Sequence, residues 1–137
     1  MADEILLSKS NYWKTACLNA ALRGISFTPP AKLFIALYVS DPTDADTGQE
    51  ITGGGYARMQ VVFSTPTIVA RRAVTSNIAD VAFPVATGDQ GIAAFVGIRD
   101  AATGGNLIYH GAVKKPRTIL ENDLIRFLTG QLVIDEG

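Results

Sequence analysis

From Ala31 to the end, the chain is a succession of short apolar runs cut apart by glycine, proline and Asp/Asn clusters. A helix needs roughly ten or more uninterrupted residues, whereas a strand needs only about four to eight. The punctuation therefore leaves strands as the main option. "AKLFIALYVS" (31–40) puts Leu33, Ile35, Leu37 and Val39 on one face and Phe34, Ala36 and Tyr38 on the other. Both faces are apolar, so a central strand covered on both sides is expected, one side by a helix. "YARMQVVFS" (56–64) alternates Met59, Val61 and Phe63 against Arg58 and Gln60, as a half-buried strand does. "TIVARRAVTS" (67–76) and "ADVAFPV" (79–85) read as further strands, the latter held to an edge or its end by Pro84. "GIAAFVGIRD" and "NLIYHGAV" around "AATGG" read as a hairpin, and "DLIRFLTGQLVID" supplies one or two last strands split at Thr129-Gly130.

Only one segment reads as a helix, Ser8 to Gly24. Ser8 or Ser10 is the expected N-cap, Arg23 suits the last turn, and Gly24 suits the position just past the end. Tyr12, Trp13, Ala16, Cys17, Ala20 and Ala21 share one stripe, while Leu18 and Leu22 point nearly opposite. That second side lies under a loop or under the chain's own "EILL" arm, or it meets another subunit. "SFTPP" then ends the helix, because a residue before proline resists helical geometry. The expected fold is mainly β: a single-domain antiparallel β-sandwich or Greek-key barrel of seven or eight short strands with one N-terminal helix. Residues 1–24 form an arm and helix packed on the sheet, and 25–137 form the sandwich.

The chemistry is read mostly by exclusion. The 137 residues carry a net charge of −1, so no basic field points to nucleic acid or an anionic membrane. Charged residues are 18% of the chain against the usual quarter, a balance that suits hiding surface in an assembly. One cysteine, Cys17, leaves no internal disulfide and no multi-cysteine zinc site, and reads as a small buried hydrophobe. The first residues lack the pattern of a secretory signal, and no run approaches a membrane span.

"DPTDADTGQEITGGGYAR" (41–58) is the richest stretch. Asp41, Asp44, Asp46 and Glu50 are hard oxygen ligands, but their spacing is not that of a calcium loop. Three glycines without a following lysine or helix do not make a phosphate cradle. Positive-φ backbone or the close approach of another chain explains them better. The stretch is expected to be an exposed acidic connection that contacts a neighbour. His110, the lone histidine, is expected as a hydrogen-bonded residue on a sheet face, with no G-x-S-x-G motif beside it. Arg71 and Arg72 are expected on opposite faces of one strand, at least one of them meeting a carboxylate or an interface. "KKPR" (114–117) is expected as a solvated turn. No catalytic residue, metal or cofactor is assigned.

Several motifs in order resemble a known family: the end of "LFIALYVSDP", "GGGYAR", "ADVAFPVA" and "DAATGGNLIYHG", preceded by "LNAALRGISFTPP". Together they span about Asn19 to Phe127. They are similar to small tailed-bacteriophage virion proteins of the phage tail fibre, or Gp80-like, family. "TPTIVARRAVTSN" (65–77) is longer and more basic than that pattern. The resemblance implies a non-enzymatic virion structural protein, made in the host cytoplasm and bound as capsid decoration or cement, or within the tail or fibre assembly. The implied partners are other virion proteins and further copies of the chain. Its expected contacts are Ile5, Leu6, Leu7, Leu18, Leu22, Asp44, Asp46, Tyr56, Arg71 and Arg72. The alternative is a receptor- or carbohydrate-binding module at a fibre, with Tyr56, Asp44 and Asp46 holding a sugar.

Overall fold

The computed structural model describes residues 4–136; the first three positions of the expected 1–24 segment and the last of 25–137 lie outside them. The elements are β1 (Ile5–Lys9), α1 (Asn11–Arg23), β2 (Leu33–Tyr38), β3 (Met59–Val61), β4 (Thr67–Val69), β5 (Arg72–Ser76), β6 (Val81–Ala82), β7 (Gly91–Arg99), β8 (Leu107–Ile119), β9 (Arg126–Phe127) and β10 (Leu132–Glu136). Eight strands form one curled sheet in the order β3-β2-β7-β8-β1-β10-β5-β4, and β6 pairs β9 separately. The pairings are antiparallel except β1 with β10, which is parallel. The two ends of the curl meet. The chain after β3 pairs with the chain after β5 through the Phe63–Asn77 bridge, Ser64 N–H to Ser76 C=O and Ile78 N–H to Val62 C=O.

The curl exists because β1 serves two neighbours. Ile5–Leu7 run parallel to Leu132–Ile134, and then Ser8 and Lys9 pair with His110 and Tyr109. Ile5 and Leu7 thereby enter the core with Ile35, Leu37, Val61, Val96, Ile98, Leu132 and Ile134. The expected N-terminal arm is thus a strand of the sheet, and Ile5 and Leu7, expected as contact residues, lie in the core. Ile5 is 1% exposed and Leu7 3%, and only Leu6, on the opposite face, stays 59% exposed. The alternation buried–exposed–buried is that of a strand with one covered face.

Buried Asn77 fixes the seam where the curl closes. Its side chain donates to the carbonyls of Ala79 and Leu128 and accepts from the Leu132 N–H. The amide thus ties its own 77–79 turn to both ends of the 128–132 turn, and all three bonds keep this buried polar group satisfied.

Helix α1 begins as expected, with Ser10 rather than Ser8 as N-cap. Its Oγ accepts from the Trp13 N–H and donates to the Leu107 carbonyl on β8. Gly24 closes the helix in the left-handed conformation. The helix packs beside β8, not β2, and none of its residues is fully buried. Trp13 holds it down: the indole N–H donates to the Tyr109 hydroxyl, and Phe27 meets the ring edge-on at 5.3 Å. Leu18 and Leu22 lie 59% and 77% exposed. They are covered neither by a loop nor by the Ile5–Leu7 segment.

Two further expectations change. "TIVARRAVTS" is not one strand but the hairpin β4–β5, with Val69 opposite Arg72. Ala70 (φ 50°) and Arg71 (φ 70°) form its two-residue turn, both in the left-handed region that a type I′ hairpin demands. "KKPR" lies within β8, where four residues, Val113–Pro116, stand opposite the single Ala94, between the pairs Ala93–Arg117 and Phe95–Ala112. It is a bulge that bends the strand.

The hairpin turn yields a direct test. Left-handed backbone costs a residue other than glycine about 1–3 kcal/mol, and Asn-Gly is the pair that fits a type I′ turn best. The double change Ala70→Asn, Arg71→Gly should raise stability by roughly 1–2 kcal/mol in urea unfolding. A loss of stability would refute the turn assignment.

Candidate functional site

The acidic stretch after β2 is folded into the molecule by two arginines that sequence reasoning did not single out. Arg99, at the end of β7, has a side chain only 9% exposed. A guanidinium carries five N–H donors, and here all five are used. Nη1 donates to Asp46 Oδ1 (2.8 Å) and Tyr38 Oη (2.9 Å), and Nη2 to Asp46 Oδ2 (2.9 Å) and the Gly105 carbonyl (2.9 Å). Nε donates to the Gly104 carbonyl at 3.2 Å. Burial alone would push this arginine's pKa down, but Asp46 and Tyr38 more than reverse it, so the net shift is upward.

Arg58, just before β3, repeats the arrangement on the next carboxylate. Nε and Nη2 hold Glu50 bidentately at 2.8 Å each, and Nη1 donates to the carbonyls of Ala101 and Gly104 at 2.9 and 2.8 Å. The Tyr56 hydroxyl donates to Glu50 Oε2 at 2.6 Å and accepts from the Leu37 N–H. Burial pushes the Glu50 carboxyl up, but the hydrogen bonds from Arg58 and Tyr56 outweigh it and leave the group below its usual range. The Tyr56 hydroxyl is raised, first by burial and then by the Glu50 carboxylate that accepts its hydrogen bond. The two arginines therefore clamp the 41–58 stretch to the 100–106 hairpin loop from both sides.

Asp44 anchors the same stretch to the helix and to β8. It takes a 2.6 Å ion pair from Lys14 and shares a 2.7 Å hydrogen bond with His110 Nε2. Those two bonds, Lys14 first, hold its carboxyl below the usual range. His110 is thus the hydrogen-bonded sheet residue expected of it. The three glycines all have positive φ, and a Cβ on Gly54 would sit 2.5 Å from the Gly88 carbonyl oxygen. Tight backbone explains them, with the close approach coming from this chain's own 87–90 turn.

The expected contact residues thus divide. Asp44, Asp46 and Tyr56 each find a partner within the chain, Lys14 and His110, Arg99, and Glu50, while the Asp44 and Asp46 side chains keep 43% and 35% exposure in a loop that stays largely solvated, as expected. Arg72 is paired with Asp135 at 2.8 Å, while Arg71 sits exposed in the hairpin turn. Ile5 and Leu7 are core. Leu6, Leu18 and Leu22 remain on the surface. Among the described residues no cluster of three or more metal-ligating side chains occurs. Arg58 and Arg99 carried one available signal: a chain with four carboxylates in one loop needs cations, and "GYAR" and "GIRD" supply them beside that loop.

Both clamps generate tests. Arg99→Met leaves Asp46 and the Tyr38 hydroxyl without their partner; because the Asp46 side chain is 35% exposed, the loss is that of charge-assisted hydrogen bonds, about 1.5–3 kcal/mol. A fall of that size in urea unfolding is expected, and a change within error would show that the clamp is not holding the loop. Glu50 ionises more easily folded than unfolded, so its contribution is complete above its unfolded value near 4.5 and disappears as pH falls through the lower folded value. Stability should therefore drop below about pH 4.5, and Glu50→Gln should flatten part of that drop; an unaltered acid limb would contradict it.

No curated protein matches the chain. A family model does, over residues 8–135, and its description is podophage GP4 fiber I protein gp80. It spans both clamps, helix α1 and every strand except the beginning of β1 and the last residue of β10. With nearly its whole length matched, the chain belongs to this phage fibre family, Gp80.

Proposed function

We propose that the chain is a non-enzymatic structural subunit of the phage particle, seated in the tail-fibre assembly and held by contacts with neighbouring virion proteins. One contrast carries the reading. The loop richest in reactive side chains spends them on internal ion pairs, while large apolar residues stand in solvent: Leu18 59%, Leu22 77% and Ile68 74% exposed. Exposed apolar surface of that kind marks protein contact more often than catalysis. The family's description as a fibre protein favours the tail over capsid decoration or cement. No helix among the described residues is long and apolar enough to cross a membrane.

Purified particles provide the test. Quantitative mass spectrometry should find the chain at the copy number of a tail component, and immunogold labelling should fall on the tail. Label spread over the head would move it to a capsid role. Absence from purified particles would defeat the structural reading altogether.

A further inference from the structure

The Arg58–Glu50 pair lines an open cleft of about 520 Å³, a volume in the range of small-molecule sites. The two side chains, 7% and 25% exposed, form its inner part, and residues 52–53, 57 and 102–104 form its exposed rim. A guanidinium has five N–H donors, and an ionised carboxylate has about four lone-pair sites. Arg58 commits four donors, two to Glu50 and one each to the carbonyls of Ala101 and Gly104. Glu50 accepts three hydrogen bonds, two from Arg58 and one from the Tyr56 hydroxyl. Among the described residues, then, one N–H on Arg58 Nη2 and one lone pair on Glu50 Oε1 stay unused. These two atoms lie side by side, 2.8 Å apart. Arg99, with every donor taken inside the chain, offers nothing comparable.

We propose that this cleft binds a neutral saccharide through two neighbouring hydroxyls, one accepting from Arg58 Nη2 and the other donating to Glu50 Oε1. Adjacent hydroxyls on a sugar ring hold their oxygens about as far apart as these two atoms, so both bonds form together. Charge disfavours ions. The Arg58–Glu50 pair is neutral as a unit, and so is the Arg99–Asp46 pair beside it. An anion drawn to Arg58 meets the Glu50 carboxylate, and a cation drawn to Glu50 meets the guanidinium. A peptide amide also sets a donor beside an acceptor, but bound peptides rely on pockets for their side chains. The rim here offers Gly53, Ala57, Ala102 and Gly104, too small to build such pockets. It also presents the exposed Thr52 and Thr103, whose hydroxyls both donate and accept. Glu50 and two carbonyls already fix the guanidinium, so binding orders no side chain at this point. Of the residues expected to hold a sugar, Tyr56 lines this cleft, whereas Asp44 and Asp46 do not. The inference adds a ligand to the structural-subunit reading and does not depend on it.

The test titrates the isotope-labelled full-length chain with the methyl glycosides of glucose, galactose and mannose and follows its amide resonances. At least one glycoside should give saturable shifts confined to residues 50–58 and 102–104, with a Kd in the millimolar range for so open a site. The fully O-methylated glycoside keeps the ring but has no hydroxyl donor, and should give none. Ala57→Trp and Ala102→Trp each fill the cleft from its exposed rim. Each should weaken binding by about tenfold or more while keeping the unfolding midpoint. Leu18→Trp, on α1, should change nothing. The proposal is overturned if none of the three glycosides shifts these residues, or if the shifts survive both filled variants. Tighter binding of inorganic phosphate or of a capped asparagine peptide at the same residues would also overturn it, in favour of an anion or a peptide. A failed titration leaves the structural-subunit reading standing, whereas absence from purified particles defeats that reading and leaves the cleft untouched.

Discussion

A guanidinium taken almost wholly out of water is the constraint around which this surface is organised. Arg99 cannot lose its charge, and leaving any of its five donors unmade inside the protein is costly. Asp46, Tyr38 and two carbonyls of the 104–105 turn must therefore come to it. Asp46 does so at φ 59°, a left-handed conformation it would not choose unaided. The ion pair thus sets the path of the whole 41–58 connection. Arg58 and Glu50 repeat the device one step along, using carbonyls of the same hairpin loop. A stretch that reads as an acidic connection is tied by these ion pairs to the 100–106 hairpin loop and to β8.

Helix α1 is held differently, at the surface and with none of its residues fully buried. The cap at Ser10, the indole of Trp13 and the Lys14–Asp44 pair fasten its sheet-facing side, and Leu18 and Leu22 are left over. The first strand shows the opposite economy. Residues that resemble a spare hydrophobic arm complete the core and join two halves of the sheet. Apolar residues near one another in sequence thus serve different purposes according to whether the backbone around them finds hydrogen-bond partners.

Much of this was legible in advance, and what was not has physical causes. The helix with its Ser10 and Gly24 caps, the hairpin around "AATGG" and the break at Thr129-Gly130 are written in local chemistry, and local chemistry is what a single sequence displays. Phage-fibre membership was legible too, from motifs in order. Arg58 and Arg99 were not found as clamps because partners such as Ala101, Asp46 and Tyr38 lie 43, 53 and 61 residues away, and no periodicity encodes contacts at such range. The Ala70-Arg71 turn was missed because it contains neither glycine nor asparagine; the strands on either side force the geometry. "EILL" was misread because four residues are too few to distinguish a strand from an arm when both neighbours, β8 and β10, come more than a hundred residues later. "KKPR" has the composition of a turn but lies where β7 holds β8 in register on both sides.

The parallel pairing of β1 with β10 also dictates an order of events. Ile5–Leu7 cannot find their neighbours Leu132–Ile134 until the roughly 125 residues between them have been made. Contacts so distant along the chain are slow to form, because the entropy of closing a large loop is lost before the contact repays it. Until then Ile5 and Leu7 wait uncovered, so the core they complete with Leu132 and Ile134 is among the last parts of the fold to close.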